Sequence, residues 1–100
     1  MIKNNKIVVT GGSGRFAQSL KNIKSKYKFM YPSKKQLDIT NPNLIKKFLK
    51  QNKPQSVLHL AGLSRPMIEH EINISKSISL NIIGTANLVN ICSELKVKLI

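Results

Sequence analysis

Thr10-Gly11-Gly12-Ser13-Gly14-Arg15-Phe16-Ala17 decides how the rest of this 100-residue chain is read. Lys6-Ile-Val-Val-Thr10 leads into it as a short β-branched run, which predicts a buried strand delivered into a tight turn. Beyond the turn, Phe16, Ala17, Leu20 and Ile23 recur near helical spacing while Gln18, Lys21, Asn22 and Lys24 take the other side; a helix is expected to about Ser25. Glycines at 11 and 14 let a backbone turn sharply and come close to a pyrophosphate. The small Ala17 lets helix and strand pack closely, and a helix N-terminus offers unpaired N–H groups with partial positive charge. A glycine-rich turn alone is an ordinary tight turn. Its place between a strand and a helix gives it weight.

Working outward, Tyr27–Tyr31 reads as a second strand, broken by Pro32-Ser33-Lys34-Lys35. Thr40-Asn41-Pro42 is a helix start, a capping side chain followed by proline in the first turn, and Leu44, Ile45, Phe48 and Leu49 form that helix's apolar face. Lys53-Pro54 ends it. Ser56-Val-Leu-His-Leu-Ala61 is the third strand, nearly continuous in apolar residues as a strand covered on both faces should be. Leu63–Glu71 reads as a loop containing Pro66. A long helix is expected from about Asn73 to Leu95, with Ile74, Ile78, Ile82, Thr85, Ala86, Val89, Cys92 and Leu95 on one side. Val97–Ile100 opens a fourth strand. This alternation predicts an α/β fold, a Rossmann-type doubly wound parallel sheet with right-handed crossovers, truncated in its fourth strand. Residues 1–100 are expected to form one domain, the N-terminal part of a longer protein.

Composition narrows the function classes. No apolar run is long enough to span a bilayer and no signal pattern opens the chain, so the expectation is a cytosolic protein with no membrane partner. Cys92 is the only cysteine and falls on an apolar stripe, where a thiol behaves as a small hydrophobe. The net charge of +13 is what a nucleic-acid binder would carry. The seventeen basic residues are scattered along the chain, however, and only Arg15 and Arg65 are arginine, the commonest specific reader of bases. No nucleic-acid partner is therefore expected, although the positive field would help attract an anionic nucleotide.

The spacing of the first turn is G-x-x-G-x-x-A, and Thr10–Ala17 resembles the T-G-x-x-G-x-x-G turn of extended short-chain dehydrogenase/reductases, with alanine replacing the last glycine. Leu37-Asp38-Ile39-Thr40 resembles the "L-D-I-T" step after the second strand in that superfamily. His59-Leu60-Ala61-Gly62 resembles the "H-x-A-A" end of the third, and Asn81-Ile-Ile-Gly84-Thr85-Ala-Asn87-Leu88 the "N-x-x-G-T-x-N-L" of the long helix. Lys98-Leu99-Ile100 looks like the start of the strand carrying a catalytic serine or threonine. Leu37–Thr40 followed by Asn41-Pro42 most resembles the dTDP-4-dehydrorhamnose reductase branch, which reduces a 4-keto sugar nucleotide with NADPH or NADH. Sugar-nucleotide epimerases and dehydratases of the same superfamily are near alternatives.

The resemblance implies that Gly11, Gly14, Arg15 and Phe16 line the pyrophosphate, and that Asp38 and Ile39 lie beside the adenine, the carboxylate accepting from the exocyclic amine and the aliphatic chain stacking. Ala61, Gly62 and Leu63 would pass under the ribose and nicotinamide, and Asn81 would be the polar residue near cofactor and active site. Asp38 as a solvated loop carboxylate and Asn81 as a buried amide tying helix to strand stay open. His59 has no metal-like partner at useful spacing and reads as a strand residue; Glu69, His70 and Glu71, consecutive in sequence, read as a solvated loop or a helix start instead of a paired acid/base device. After the second strand, Tyr31-Pro-Ser33-Lys34-Lys35 offers no acid to accept ribose hydroxyls and two cations that suit a 2′-phosphate, with Ser33 beside them, so NADP is favoured over NAD.

The superfamily's chemistry needs a tyrosine with a lysine four residues on. Tyr27 lacks that lysine, and Tyr31 with Lys35 has the spacing on a strand-to-loop segment, the wrong place. The expectation is a chain that binds a nucleotide without catalysing, within a parent enzyme whose substrate is a nucleotide sugar. A regulatory NADP-binding protein that has lost catalysis is the reading from a different class. A homodimer is compatible with the sequence.

Overall fold

The computed structural model describes residues 4–11, 15–23, 25–60 and 82–100. Strand β1 (Lys6–Thr10) is buried from Ile7 onward, with Val8 and Val9 wholly shielded. That burial follows from its place inside a four-stranded sheet ordered β2-β1-β3-β4, where β2 is Lys28–Met30, β3 is Ser56–His59 and β4 is Lys98–Leu99. Every pairing is parallel. β1 aligns Ile7 with Phe29 on one side and with Ser56 on the other, and Val57 of β3 sits opposite Leu99 of β4. A parallel sheet needs crossovers, and the chain supplies helices α1 (Arg15–Lys21), α2 (Pro42–Asn52) and α3 (Gly84–Leu95) between successive strands.

The first crossover steps from β1 to β2 and the next two step back past β1 to β3 and β4. Right-handed crossovers in opposite directions place α1 on one face and α2 with α3 on the other. Side-chain alternation agrees. Val8 and Val57 belong to a core built with Ile45 and Leu49 of α2 and Leu88, Ile91 and Cys92 of α3, together with Leu37 and Ile39. Ile7 and Val9, one residue off in register, are buried but outside that cluster, as is Ala17 of α1. This is the doubly wound Rossmann-type sheet that the sequence predicts.

Local chemistry sets the helix ends. Asn41 caps α2, its side-chain oxygen accepting from the Leu44 amide at 3.2 Å, with Pro42 in the first turn where its missing N–H costs nothing. Both α2 and α3 stop on a lysine in the left-handed conformation, Lys53 at φ 45° and Lys96 at φ 58°. The Lys53 amide donates to the Leu49 carbonyl and the Lys96 amide to Cys92 and Ser93.

Several expectations change: the second and fourth strands are shorter than expected, Lys28–Met30 and Lys98–Leu99. The first helix ends at Lys21, and the Asn22 and Ile23 amides bond back three residues to Ser19 and Leu20. That tighter winding carries Ile23 off the apolar face, leaving it 62% exposed. The long helix buries Gly84, Leu88, Ile91 and Cys92, whereas Ile82 and Val89, both placed on the buried stripe by periodicity, are exposed. Within this helix the buried positions 84, 88, 91 and 92 define the inward face, and Val89, one residue on from Leu88, is turned about 100° away from it. β3 closes at His59, and Ala61, like Ile74 and Ile78, lies outside the described residues.

Candidate functional site

The carboxyl ends of β1 and β3 lie side by side, Thr10 opposite His59, where the chain's path through the sheet reverses direction. In open parallel sheets ligands bind in the crevice at such a switch point. Gly11 leaves β1 there at φ 73°, a conformation in which a Cβ would clash with its own carbonyl. α1 begins at Arg15, with four residues, 11–14, between it and the end of β1. Residues 12–14, Gly14 among them, lie outside the described residues, as do Ala61, Gly62, Leu63 and Asn81. Arg15 and Phe16 open α1.

Three side chains that the sequence left unassigned tie this corner together. Thr10 Oγ1 and His59 Nδ1 share a hydrogen bond of 2.8 Å, and His59 Nε2 and Thr85 Oγ1 share another of 2.8 Å. The Leu60 amide donates to the same Thr10 oxygen at 2.9 Å. Burial holds the imidazole's pKa below its ordinary value, so it is neutral at physiological pH, donating from one nitrogen and accepting at the other. The first turn of α3 is tied to two neighbours: Thr85 holds His59, and Asn87 Nδ2 donates to the Ile39 carbonyl at 2.9 Å. The sequence signal was present in Gly84-Thr85-Ala-Asn87-Leu88. Periodicity, however, assigned Thr85 to an apolar stripe.

The segment after β2 is rigid in a way the sequence only half discloses. Ser33 and Gln36 cap one another, the Ser33 amide donating to Gln36 Oε1 at 2.8 Å and the Gln36 amide donating to Ser33 Oγ at 3.2 Å. This reciprocal box occupies the Ser33 N–H and leaves its hydroxyl hydrogen to donate. Lys34 is exposed on the same turn, and Lys21 of α1 adds a cation from the other side, its Nζ 4.7 Å from the centre of the Tyr31 ring. Leu37 and Ile39 point into the core while Asp38, between them, is only partly buried. The Ile39 side chain, expected to stack on the adenine, is instead 4% exposed inside the α2–α3 core, in a turn closed by the Asn41 amide donating to the Asp38 carbonyl at 3.0 Å. Asp38 Oδ1 accepts from the Thr40 hydroxyl at 2.7 Å and the Thr40 amide at 3.0 Å. The two Thr40 bonds hold its carboxyl below the usual carboxylate range, burial opposing them and the nearby Lys34 charge adding to them.

A pocket of about 530 Å³ opens beside edge strand β2, lined by Tyr31, Pro32, Lys35, Leu44, Lys47 and Phe48 among others. It lies along α2, on the outer side of the sheet, and is distinct from the switch point between β1 and β3. Lys35 faces this pocket. Among the described residues no group of three or more His, Cys, Asp or Glu side chains could hold a metal ion, and no helix is long and apolar enough to cross a membrane.

Comparison with known proteins agrees with this architecture. The family model described as the RmlD substrate binding domain matches residues 5–100. A curated protein, GDP-L-colitose synthase of Yersinia pseudotuberculosis, is 40% identical over 60 residues, covering 58% of this chain and 20% of that protein. The structure of dTDP-4-dehydrorhamnose reductase from Bacillus anthracis in complex with NADP superposes with a TM-score of 0.87 at 22% identity, covering 99% of this chain and 36% of that one. The dTDP-4-dehydrorhamnose reductase of Clostridium acetobutylicum superposes with a TM-score of 0.82 at 23% identity, covering 94% of this chain and 34% of that one. At these identities the two structures speak for the fold. The chain spans about a third of the length of the solved structures and a fifth of the curated relative.

Proposed function

Since this chain belongs to the RmlD substrate binding domain family, we propose that it is the dinucleotide-binding part of a cytosolic enzyme that reduces a 4-keto sugar nucleotide with NADPH. The observation that carries the reading is Gly11 at φ 73°, at the switch point between β1 and β3. There a backbone without a Cβ can approach paired phosphates closely. Gly11, Gly14, Arg15 and Phe16 would hold the pyrophosphate. Asp38 would face the adenine, its Oδ1 already anchored by Thr40, and the Ile39 backbone, fixed by Asn87, would support it. Ala61, Gly62, Leu63 and Asn81 would border the ribose and nicotinamide.

The end of β2 supports NADP over NAD. Lys21 and Lys34 bring positive charge to the strand end, the Ser33 hydroxyl can donate, and no acid between Tyr31 and Lys35 competes for ribose hydroxyls. When bound, the cofactor supplies a hydride equivalent. This chain's own residues bind it, orient it and exclude water from its phosphates. The nearby B. anthracis structure in complex with NADP supports the same choice.

Fluorescence titration of the intact protein with NADPH and NADH tests the proposal, with Gly14→Asp as control. NADPH should bind at least about tenfold more tightly than NADH, equivalent to one charge-assisted contact, and Gly14→Asp should abolish both. Equal, millimolar affinity for the two nucleotides, untouched by Gly14→Asp, would remove the reading.

A further inference from the structure

Resting on the cofactor-binding reading above, we propose that His59 is a positioning residue for the phosphate turn. Its imidazole, held between Thr10 on β1 and Thr85 on α3, fixes the strand end from which Gly11 departs. Thr10 is the last residue of β1, only 3% exposed, and its hydroxyl oxygen is met by His59 Nδ1 at 2.8 Å and the Leu60 amide at 2.9 Å. The ends of β1 and β3 are thus joined beyond their last ladder pair, Thr10 with His59. The other ring nitrogen, 2.8 Å from Thr85 Oγ1, carries the link to α3. The His59 amide donates to the Ile100 carbonyl just past β4 at 3.0 Å, so the residue touches β1, the segment after β4, and α3 at once.

The geometry suits transmission better than simple packing. Phosphate binding by backbone amides depends on where the backbone is held, and errors of an ångström are expensive. A bare hydrophobe at 59 would fill the space but would remove the hydrogen-bonded link through which α3 meets the end of β1. His59 spans the gap with a rigid ring having one polar atom at each end, so the α3 position is communicated to the residue preceding Gly11. Asparagine at 59 would place a polar atom near the Nδ1 position and keep only the Thr10 link; leucine would keep neither.

A double-mutant cycle on the intact protein, read by NADPH titration and thermal unfolding, tests this. Thr85→Val alone should weaken NADPH binding by about three- to tenfold, the effect of losing one hydrogen bond. The same substitution should have no further effect in a His59→Leu background. His59→Asn should bind NADPH more tightly than His59→Leu even where leucine gives the higher Tm, an ordering that packing alone would reverse. If His59→Leu does not fold, the Thr85→Val cycle is run in the His59→Asn background, where its effect should also vanish. Unchanged NADPH affinity in Thr85→Val and His59→Leu would overturn the proposal, as would a Thr85→Val effect that persists undiminished without His59. In either case wild-type NADPH binding would leave the cofactor reading intact. Failure of the wild type to bind either nucleotide would take both down.

Discussion

Gly11 carries a positive φ because the chain must leave a buried strand and reverse toward α1 within a few residues. A Cβ there costs about 1–2 kcal/mol in the left-handed region. Gly11→Ala is therefore expected to lower the free energy of unfolding by that order in urea titrations, and to weaken NADPH binding by more than the stability loss alone accounts for. An unchanged denaturation midpoint would contradict the strain argument. Asp38 makes a separate prediction. Its carboxyl is held below the usual range by the Thr40 hydroxyl first, the Thr40 amide second, and the Lys34 charge. A depressed folded-state pKa contributes stability that is present above the unfolded value and disappears as pH falls through the folded one. Asp38→Asn keeps an acceptor oxygen for Thr40 and removes only the charge. The variant should lose less Tm than wild type below about pH 4, by a small margin because the group is partly solvated. Parallel Tm curves from pH 7 to pH 2 would show the charge to be idle.

At the scale of elements, α2 and α3 end alike, on Lys53 and Lys96 in the left-handed conformation that glycine adopts without steric cost. Lys53→Gly and Lys96→Gly should each raise stability, by up to about 1 kcal/mol once the entropy of glycine in the unfolded chain is set against the relieved strain. Urea midpoints for the two single variants and the double would check this, near-additivity being expected for separate helix ends. The ion pair between Lys46 of α2 and Glu94 of α3 spans 2.8 Å but has both side chains substantially exposed. It orients the helix pair and adds little to stability. What holds α2 against α3 is Ile45, Leu49, Leu88 and Ile91 in one shared core.

For the whole molecule, the buried set is small, and one residue can decide whether it coheres. Leu88 has no solvent exposure and lies in the core common to β1, β3, α2 and α3; Leu88→Ala should cost about 2–5 kcal/mol, a large part of what a domain of this size has. Val89, its neighbour in sequence, is 50% exposed, and Val89→Ser should stay within about 0.5 kcal/mol. Thermal unfolding of the two variants side by side would test the observed phase of α3, and the reverse ordering would restore the phase that periodicity suggests. Element order, the parallel sheet, the capping of α2 at Asn41 and a glycine with positive φ at the end of β1 were legible in the sequence, because each rests on residues near one another in the chain: β-branched runs, a polar cap before proline, a glycine at a strand end. The phase of α3 was not, since apolar residues lie on more than one side of it and periodicity alone does not say which side meets the sheet. The inward turn of Ile39 and the Thr10–His59–Thr85 link were equally hidden. Thr10 and His59 are 49 residues apart and His59 and Thr85 are 26, and local pattern says nothing about which polar groups will meet. By itself the sequence determined a Rossmann-type fold and the order of its strands and helices. Only tertiary structure decided which polar side chains meet at the switch point, because hydrogen bonds across strands and helices depend on distances that exist only after the sheet has assembled.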